Sequence, residues 1–144
     1  MKLIPENHTV ASSVELLEGT SSSTVTDLQV LNDGNSFDIT EAAGTPGQRF
    51  KIFFVNIIRF SGLAFKAYYD GNHYIEFQLY NCVTGSWDTQ ITIESSNGMD
   101  YRLIDVPNSP NYISNIGGVT ARHYHPSAGN PADDSFIEYV ALIR

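Results

Sequence analysis

Two imidazoles two residues apart, one thiol and a scatter of carboxylates are where any chemistry of this 144-residue chain would have to begin. His123-Tyr124-His125 projects both imidazoles from one face of an extended strand, the first half of a metal site. The other half would be a Glu soon after the second His and a third His on another strand. Residues 126–131 contain no Glu, and His73 falls beside a turn, so a hydrogen-bonded structural pair is the expected role. Asp133-Asp134 with Asn130 offers oxygen ligands to calcium, but the spacing matches no EF-hand loop and adjacent acids in a polar loop are usually solvated. Cys82 is alone and can form no intramolecular disulfide. Its neighbours Asn81 and Val83 supply neither base nor positive charge to activate it, and it is expected to be a small buried hydrophobe. There is no Gly-rich phosphate loop, no G-x-S-x-G elbow and no H-E-x-x-H. No catalytic residue, metal or cofactor is assigned, and the chain is read as a protein that is not an enzyme.

What remains is binding. Trp87 beside Asp88, with Tyr80, Tyr112 and Tyr124, would form an aromatic platform on which a sugar ring could stack. Packing at the rim of a core is the competing role for those rings.

The elements that must carry these residues are strands. Hydrophobic residues make up 42% and aromatics 12%, with Tyr, Phe, Ile, Val and Thr prominent, so one domain of this length can bury a core without disulfides. Strands are expected over residues 25–30, 37–39, 49–58, 64–69, 74–80, 87–93, 101–106, 119–125 and 136–143. Between them lie turn signals such as Asn32-Asp33-Gly34, Asp70-Gly71-Asn72 and Thr84-Gly85. The fold class is therefore all-β, an antiparallel β-sandwich, with a jelly roll the expected form. Residues 49–58 are apolar enough to predict a central strand covered on both sides, and 136–143 predict a C-terminal strand threaded through the middle of a sheet. Residues 1–24 carry few large apolar side chains beyond Val14, Leu16 and Leu17 and include Ser21-Ser22-Ser23-Thr24. They are read as an extended N-terminal arm outside a 25–144 sandwich, removable without unfolding it.

Net charge is −8, and residues 1–48 hold seven acids against Lys2 alone. The absence of a basic cluster argues against nucleic acid as a partner. No apolar run is long enough for a membrane span or a signal peptide, so neither a membrane partner nor export is expected.

Two stretches carry a resemblance. Tyr69-Asp70-Gly71-Asn72-His73-Tyr74-Ile75-Glu76-Phe77-Gln78-Leu79-Tyr80-Asn81, with Thr84-Gly85 and Trp87-Asp88, is one. Val119-Thr120-Ala121-Arg122-His123-Tyr124-His125, with Gly129-Asn130 and Phe136-Ile137-Glu138-Tyr139-Val140-Ala141-Leu142, is the other. Together they resemble a β-sandwich module of tailed-bacteriophage virion proteins, such as capsid decoration and tail-associated proteins. The resemblance implies a structural virion component made in the host cytoplasm. The leading expectation is a capsid decoration (cement) protein, a homotrimer with the major capsid protein as partner. The alternative is a carbohydrate-binding, receptor-binding domain of a tail fibre or tail-associated protein. Such modules often carry His where this chain has Asp134 or Ser135, so no role of that His transfers. Gly117 with His123 and His125 is similar to half of the cupin metal signature, which makes a cupin-like metalloenzyme the third reading.

Overall fold

A computed structural model of the chain describes residues 5–144. Ten strands run through the described residues: β1 (His8–Val10), β2 (Ser13–Glu18), β3 (Phe37–Thr40), β4 (Gln48–Phe54), β5 (Gly62–Tyr69), β6 (Tyr74–Asn81), β7 (Ser86–Glu94), β8 (Asp100–Asp105), β9 (Val119–His125) and β10 (Asp134–Ile143). They form two five-stranded antiparallel sheets. The first runs β1-β10-β5-β8, with β3 also paired to β10, and the second runs β2-β4-β9-β6-β7. The architecture is an antiparallel β-sandwich of the jelly-roll kind.

Period-two alternation explains which residues meet inside. Phe50, Ile52 and Phe54 of β4, Ile75, Phe77 and Leu79 of β6, and Val119 and Ala121 of β9 are all buried on the inner face of the second sheet. Facing them from the first sheet are Leu63 and Phe65 of β5, Ile137, Val140 and Leu142 of β10, and Phe37 and Ile39 of β3. Phe37 stacks on Phe50 with ring centroids 4.3 Å apart, and Phe65 meets Phe77 at 4.6 Å, so each aromatic pair joins the two sheets. Such pairs contribute about 1 kcal/mol beyond the area they bury.

The C-terminal strand lies in the middle of its sheet, as its two-sided apolar pattern predicts. β10 pairs with β5 along one edge and with β3 and then β1 along the other. Its outer side is covered too, where Tyr139 and Ala141 pack with Ala64, Val10, Leu31 and Ile143.

Three expectations need correction. Residues 1–24 do not stand apart as an arm: β1 closes onto β10 and β2 pairs with β4, so this segment gives a strand to each sheet. Val14 and Leu16 alternate with Ser13 and Glu15, and the apolar pair packs against the core, which makes a charge-rich segment a structural edge. Residues 1–4 of the expected arm lie outside the described residues. The strand expected over 25–30 is a 3-10 turn, Val25–Leu28. The Thr24 N–H donates to Asp27 Oδ2 at 2.8 Å and the Asp27 N–H to the Thr24 carbonyl at 3.0 Å, which closes a helical turn. The central strand β4 stops at Phe54, and it is covered on one side only. Arg49, Lys51 and Phe53 on its outer side are half-buried, and Ile58, beyond its end, is 92% exposed.

Candidate ligand-binding face

Register decides which outward residues of the second sheet become neighbours. In the β4–β9 ladder Arg49 lies opposite Tyr124 and Lys51 opposite Arg122. In the β9–β6 ladder Tyr124 lies opposite Glu76 and Arg122 opposite Gln78. In the β6–β7 ladder Gln78 lies opposite Thr89 and Tyr80 opposite Trp87. Four strands thus place basic, amide, acidic and aromatic side chains side by side on the outer face.

Arg122 is the centre of this group. Its Nε and Nη2 donate to Gln78 Oε1 at 2.9 and 2.6 Å. That fork holds the guanidinium 4.3 Å from the Trp87 ring centroid and 3.9 Å from the Tyr124 ring centroid. Guanidinium–aromatic contacts of this kind are worth about 0.5–2 kcal/mol, more as water is excluded. The Gln78 amide is fixed in turn, its Nε2 donating to Glu76 Oε2 at 3.2 Å and to Thr89 Oγ1 at 3.1 Å. Tyr80 meets Trp87 edge-on at 5.3 Å and an interplanar angle of 66°. Lys51 Nζ lies 6.0 Å from the same indole. Desolvation, opposed in part by Tyr124 and reinforced by the neighbouring Arg49 charge, holds the Arg122 pKa below the usual guanidinium value. Arg122 still carries its proton at any physiological pH.

Trp87, Tyr80, Tyr124 and Arg122 are all half-buried, with part of each open to solvent. A partly exposed aromatic and guanidinium cluster ringed by fixed donors and acceptors suits a ligand with an apolar face and a polar perimeter. A pyranose ring is such a ligand, with C–H groups on its faces and hydroxyls around its edge.

Of the five residues singled out in the sequence, the structure brings Tyr80, Trp87 and Tyr124 together and sends Asp88 and Tyr112 elsewhere. Successive residues of a strand point to opposite sides of a sheet, so Trp87 and Asp88 cannot share a face. Asp88 lies opposite the buried Leu79, and its Oδ2 accepts from Asn81 Nδ2 at 2.9 Å and from the Tyr112 hydroxyl at 3.0 Å. Tyr112 is 7% exposed in the Ser109–Tyr112 turn, and burial pushes its phenol pKa up. This pair anchors β7 from within. The residues that sequence reasoning missed are Arg122 and Lys51, whose meaning depends on register across β4, β9, β6 and β7.

The His pair is structural. His123 and His125 point inward, at 0% and 1% exposure. His123 Nδ1 lies 3.0 Å from Gln48 Oε1, an oxygen that only accepts, so the proton sits on Nδ1. Burial pushes the His123 pKa down to about 3. His125 Nδ1 lies 2.6 Å from Glu41 Oε1. Glu41 Oε2 accepts the Asn130 N–H at 3.0 Å, and Gln48 Nε2 donates to Ser135 Oγ at 2.7 Å, so one network ties β3, β4, β9 and β10 and the loop before β10 together. Gly47 allows the chain to cross this network, since a Cβ there would lie 2.7 Å from His125 Nδ1 and 2.6 Å from Gly129 Cα. Of the acids weighed for calcium, Asp134 is tied into the fold: its Oδ1 accepts from Thr40 Oγ1 at 2.6 Å, and its N–H donates to Asp70 Oδ1 at 2.7 Å. Among the described residues no group of three or more His, Cys, Asp or Glu side chains is arranged to hold a metal ion. Cys82 is exposed in the turn after β6, contrary to its expected burial.

No protein-family model and no curated protein matches the chain. Solved structures do share its fold. A family 29 carbohydrate-binding module is similar at a TM-score of 0.60 and 14% identity, with 93% of this chain and 84% of that one covered. A lysine-to-alanine variant of such a module, complexed with cellulohexaose, aligns at 0.58 and 14% identity over 99% of this chain and 84% of that one. An aspartate-to-alanine variant complexed with mannohexaose aligns at 0.55 and 14% identity over 94% and 87%.

Proposed function

We propose that this chain is a carbohydrate-binding β-sandwich without catalytic activity of its own, which takes a glycan strand on the outer face of the β2-β4-β9-β6-β7 sheet. The observation that carries the reading is the Trp87–Arg122–Tyr124 stack, held by Gln78 and braced edge-on by Tyr80. Trp87 supplies the stacking surface, Arg122 and Lys51 donate to sugar oxygens, and Glu76 and Thr89 complete the perimeter. The fold shared with modules solved in complex with cellulohexaose and mannohexaose supports a glycan over other flat ligands. Taken with the resemblance of residues 69–142 to phage virion modules, the setting we propose is a receptor-binding domain of a tail-associated protein.

Shell decoration, with the major capsid protein as partner and a homotrimer as the working form, draws no support from these similarities and gives way to the carbohydrate reading. A glycan array probed with the purified protein is the test. Saturable binding to one glycan class is the expected result. A blank array together with binding to purified capsid shells would replace the carbohydrate reading with the decoration one.

A further inference from the structure

Charge on the proposed sugar face is distributed in a way that a neutral ligand does not require. The chain has eight Lys and Arg residues against sixteen acids, yet Arg49, Lys51 and Arg122 sit together on the adjoining strands β4 and β9 of one face. Lys51 lies directly opposite Arg122 in register. Like charges placed directly across a ladder destabilise the pair.

The other sheet offers a contrast, since its Lys66 lies opposite Tyr139 and Tyr101 and not opposite a cation. There Lys66 is neutralised by Glu138 at 2.7 Å. On the proposed sugar face, among the described residues, only Arg49 has a carboxylate partner, Glu18 at 3.0 Å. Arg122 spends its Nε and one Nη2 hydrogen on the uncharged oxygen of Gln78. Neither Lys51 nor Arg122 has a carboxylate oxygen within ion-pair distance among the described residues. Two cations without a direct carboxylate contact therefore lean toward one indole, from 6.0 and 4.3 Å.

Resting on the carbohydrate reading, we propose that the face selects an acidic glycan, with a uronic-acid ring on Trp87 and its carboxylate between Lys51 and Arg122. Glu15, opposite Lys51 on β2, and Glu76, opposite Tyr124 on β6, border the cationic strip on either side. They confine an anion to the strip's centre rather than letting it spread over the sheet. With a net charge of −8 the protein as a whole repels polyanions, so the selection is a local contact and not long-range attraction.

Matched ligand pairs separate this inference from the reading beneath it. Calorimetric titration would compare cellohexaose with the β-1,4-glucuronate hexamer obtained by oxidation at C6, and mannohexaose with the β-1,4-mannuronate hexamer. In at least one pair the acidic member should bind about tenfold more tightly at low salt, as expected for one carboxylate beside two partly screened cations. That advantage should shrink as sodium chloride rises. Lys51→Glu should abolish the advantage. Arg59→Glu, the same change of net charge at an exposed loop position after β4, should leave it intact. If the neutral members bind as tightly as the acidic ones, or if Arg59→Glu matches Lys51→Glu, the acidic-glycan inference falls while the carbohydrate reading stands. If no member of either pair binds, both fall.

Discussion

Strand β9 faces two ways, and its two sides teach different things about the same seven-residue strand. Inward, His123 and His125 are sealed in a network with Gln48, Glu41 and Ser135, where each Nδ1 is held by a fixed partner while each Nε2 is buried without one, and the product is rigidity. Outward, Arg122 and Tyr124 join Trp87 and Gln78 in a group that is equally well oriented but left partly open, with cationic hydrogen-bonding capacity unspent. Residue types alone would have nominated the inner side, since imidazoles next to carboxylates look like chemistry. Access to solvent and charge without a carboxylate contact are the grounds on which we propose the outer side for binding.

The comparison predicts that damage to the inner side and the sheet edges is read in stability, while damage to the outer side is read in binding. The largest effect should come from deleting residues 1–18. This removes β1 from β10 and β2 from β4, and with them the packing of Val14 and Leu16, so the thermal transition should lose its cooperativity. A truncated protein that melts cooperatively near the full-length temperature would restore the arm reading.

Next is Glu41→Ala, which leaves the buried His125 Nδ1 and the N–H of the loop residue Asn130 without their acceptor. Unfolding in urea should show a loss of about 3 kcal/mol, with glycan affinity of the folded fraction nearly unchanged. Third, Trp87→Ala should cost about tenfold or more in glycan affinity while lowering stability by only about 1 kcal/mol, because the indole is half-buried at the surface. The reverse outcome, intact binding with a large stability loss, would make the aromatic group a packing feature and break the comparison.

The smallest effect is a pH slope. His123 has its folded pKa pushed down to about 3, below the ordinary value of about 6.5. As pH falls through that window the unfolded chain takes up a proton that the folded chain does not. The His123 contribution to stability is therefore complete above about pH 6.5 and is lost progressively toward pH 3. Between pH 6.5 and 5 the loss should be about 1.5 kcal/mol, and His123→Gln should flatten the slope. His8, its pKa also lowered by burial, is present in both proteins, so the difference between them isolates His123. Equal slopes would mean that His123 is open to protons in the folded state.

Much of the fold was legible because it is written locally. Ile75, Phe77 and Leu79 alternate with Glu76 and Gln78, and β6 follows from that pattern; the unbroken apolar run over 136–143 places β10 in a sheet centre. The segments misread are those where a local signal was overlooked or outweighed. Val14 and Leu16 alternate properly, but the scarcity of other large apolar residues and the Ser21-Ser22-Ser23-Thr24 run suggested an arm. The capping signature Thr24-Val25-Thr26-Asp27 announces the turn that was read as a strand. The site was half legible. Aromatic residue types pointed to Trp87, Tyr80 and Tyr124, but grouping Asp88 with Trp87 ignored the strand's own alternation. Arg122 was invisible because its neighbours lie 44 residues away at Gln78 and further still at Lys51, and only ladder register brings them together.

The pairing of β1 with the end of β10 has a consequence for how such a domain is carried. His8 lies opposite Ile143, and the Arg144 N–H donates to the Asn7 carbonyl at 2.7 Å, so chain entering and chain leaving are neighbours on one edge of the first sheet. The domain therefore has residues 7 and 144 side by side, and the face we propose for glycan binding belongs to the opposite sheet. It can be spliced into an exposed loop of a host protein, or cut open at another turn and rejoined through a short linker between residues 7 and 144, without turning that face toward the host.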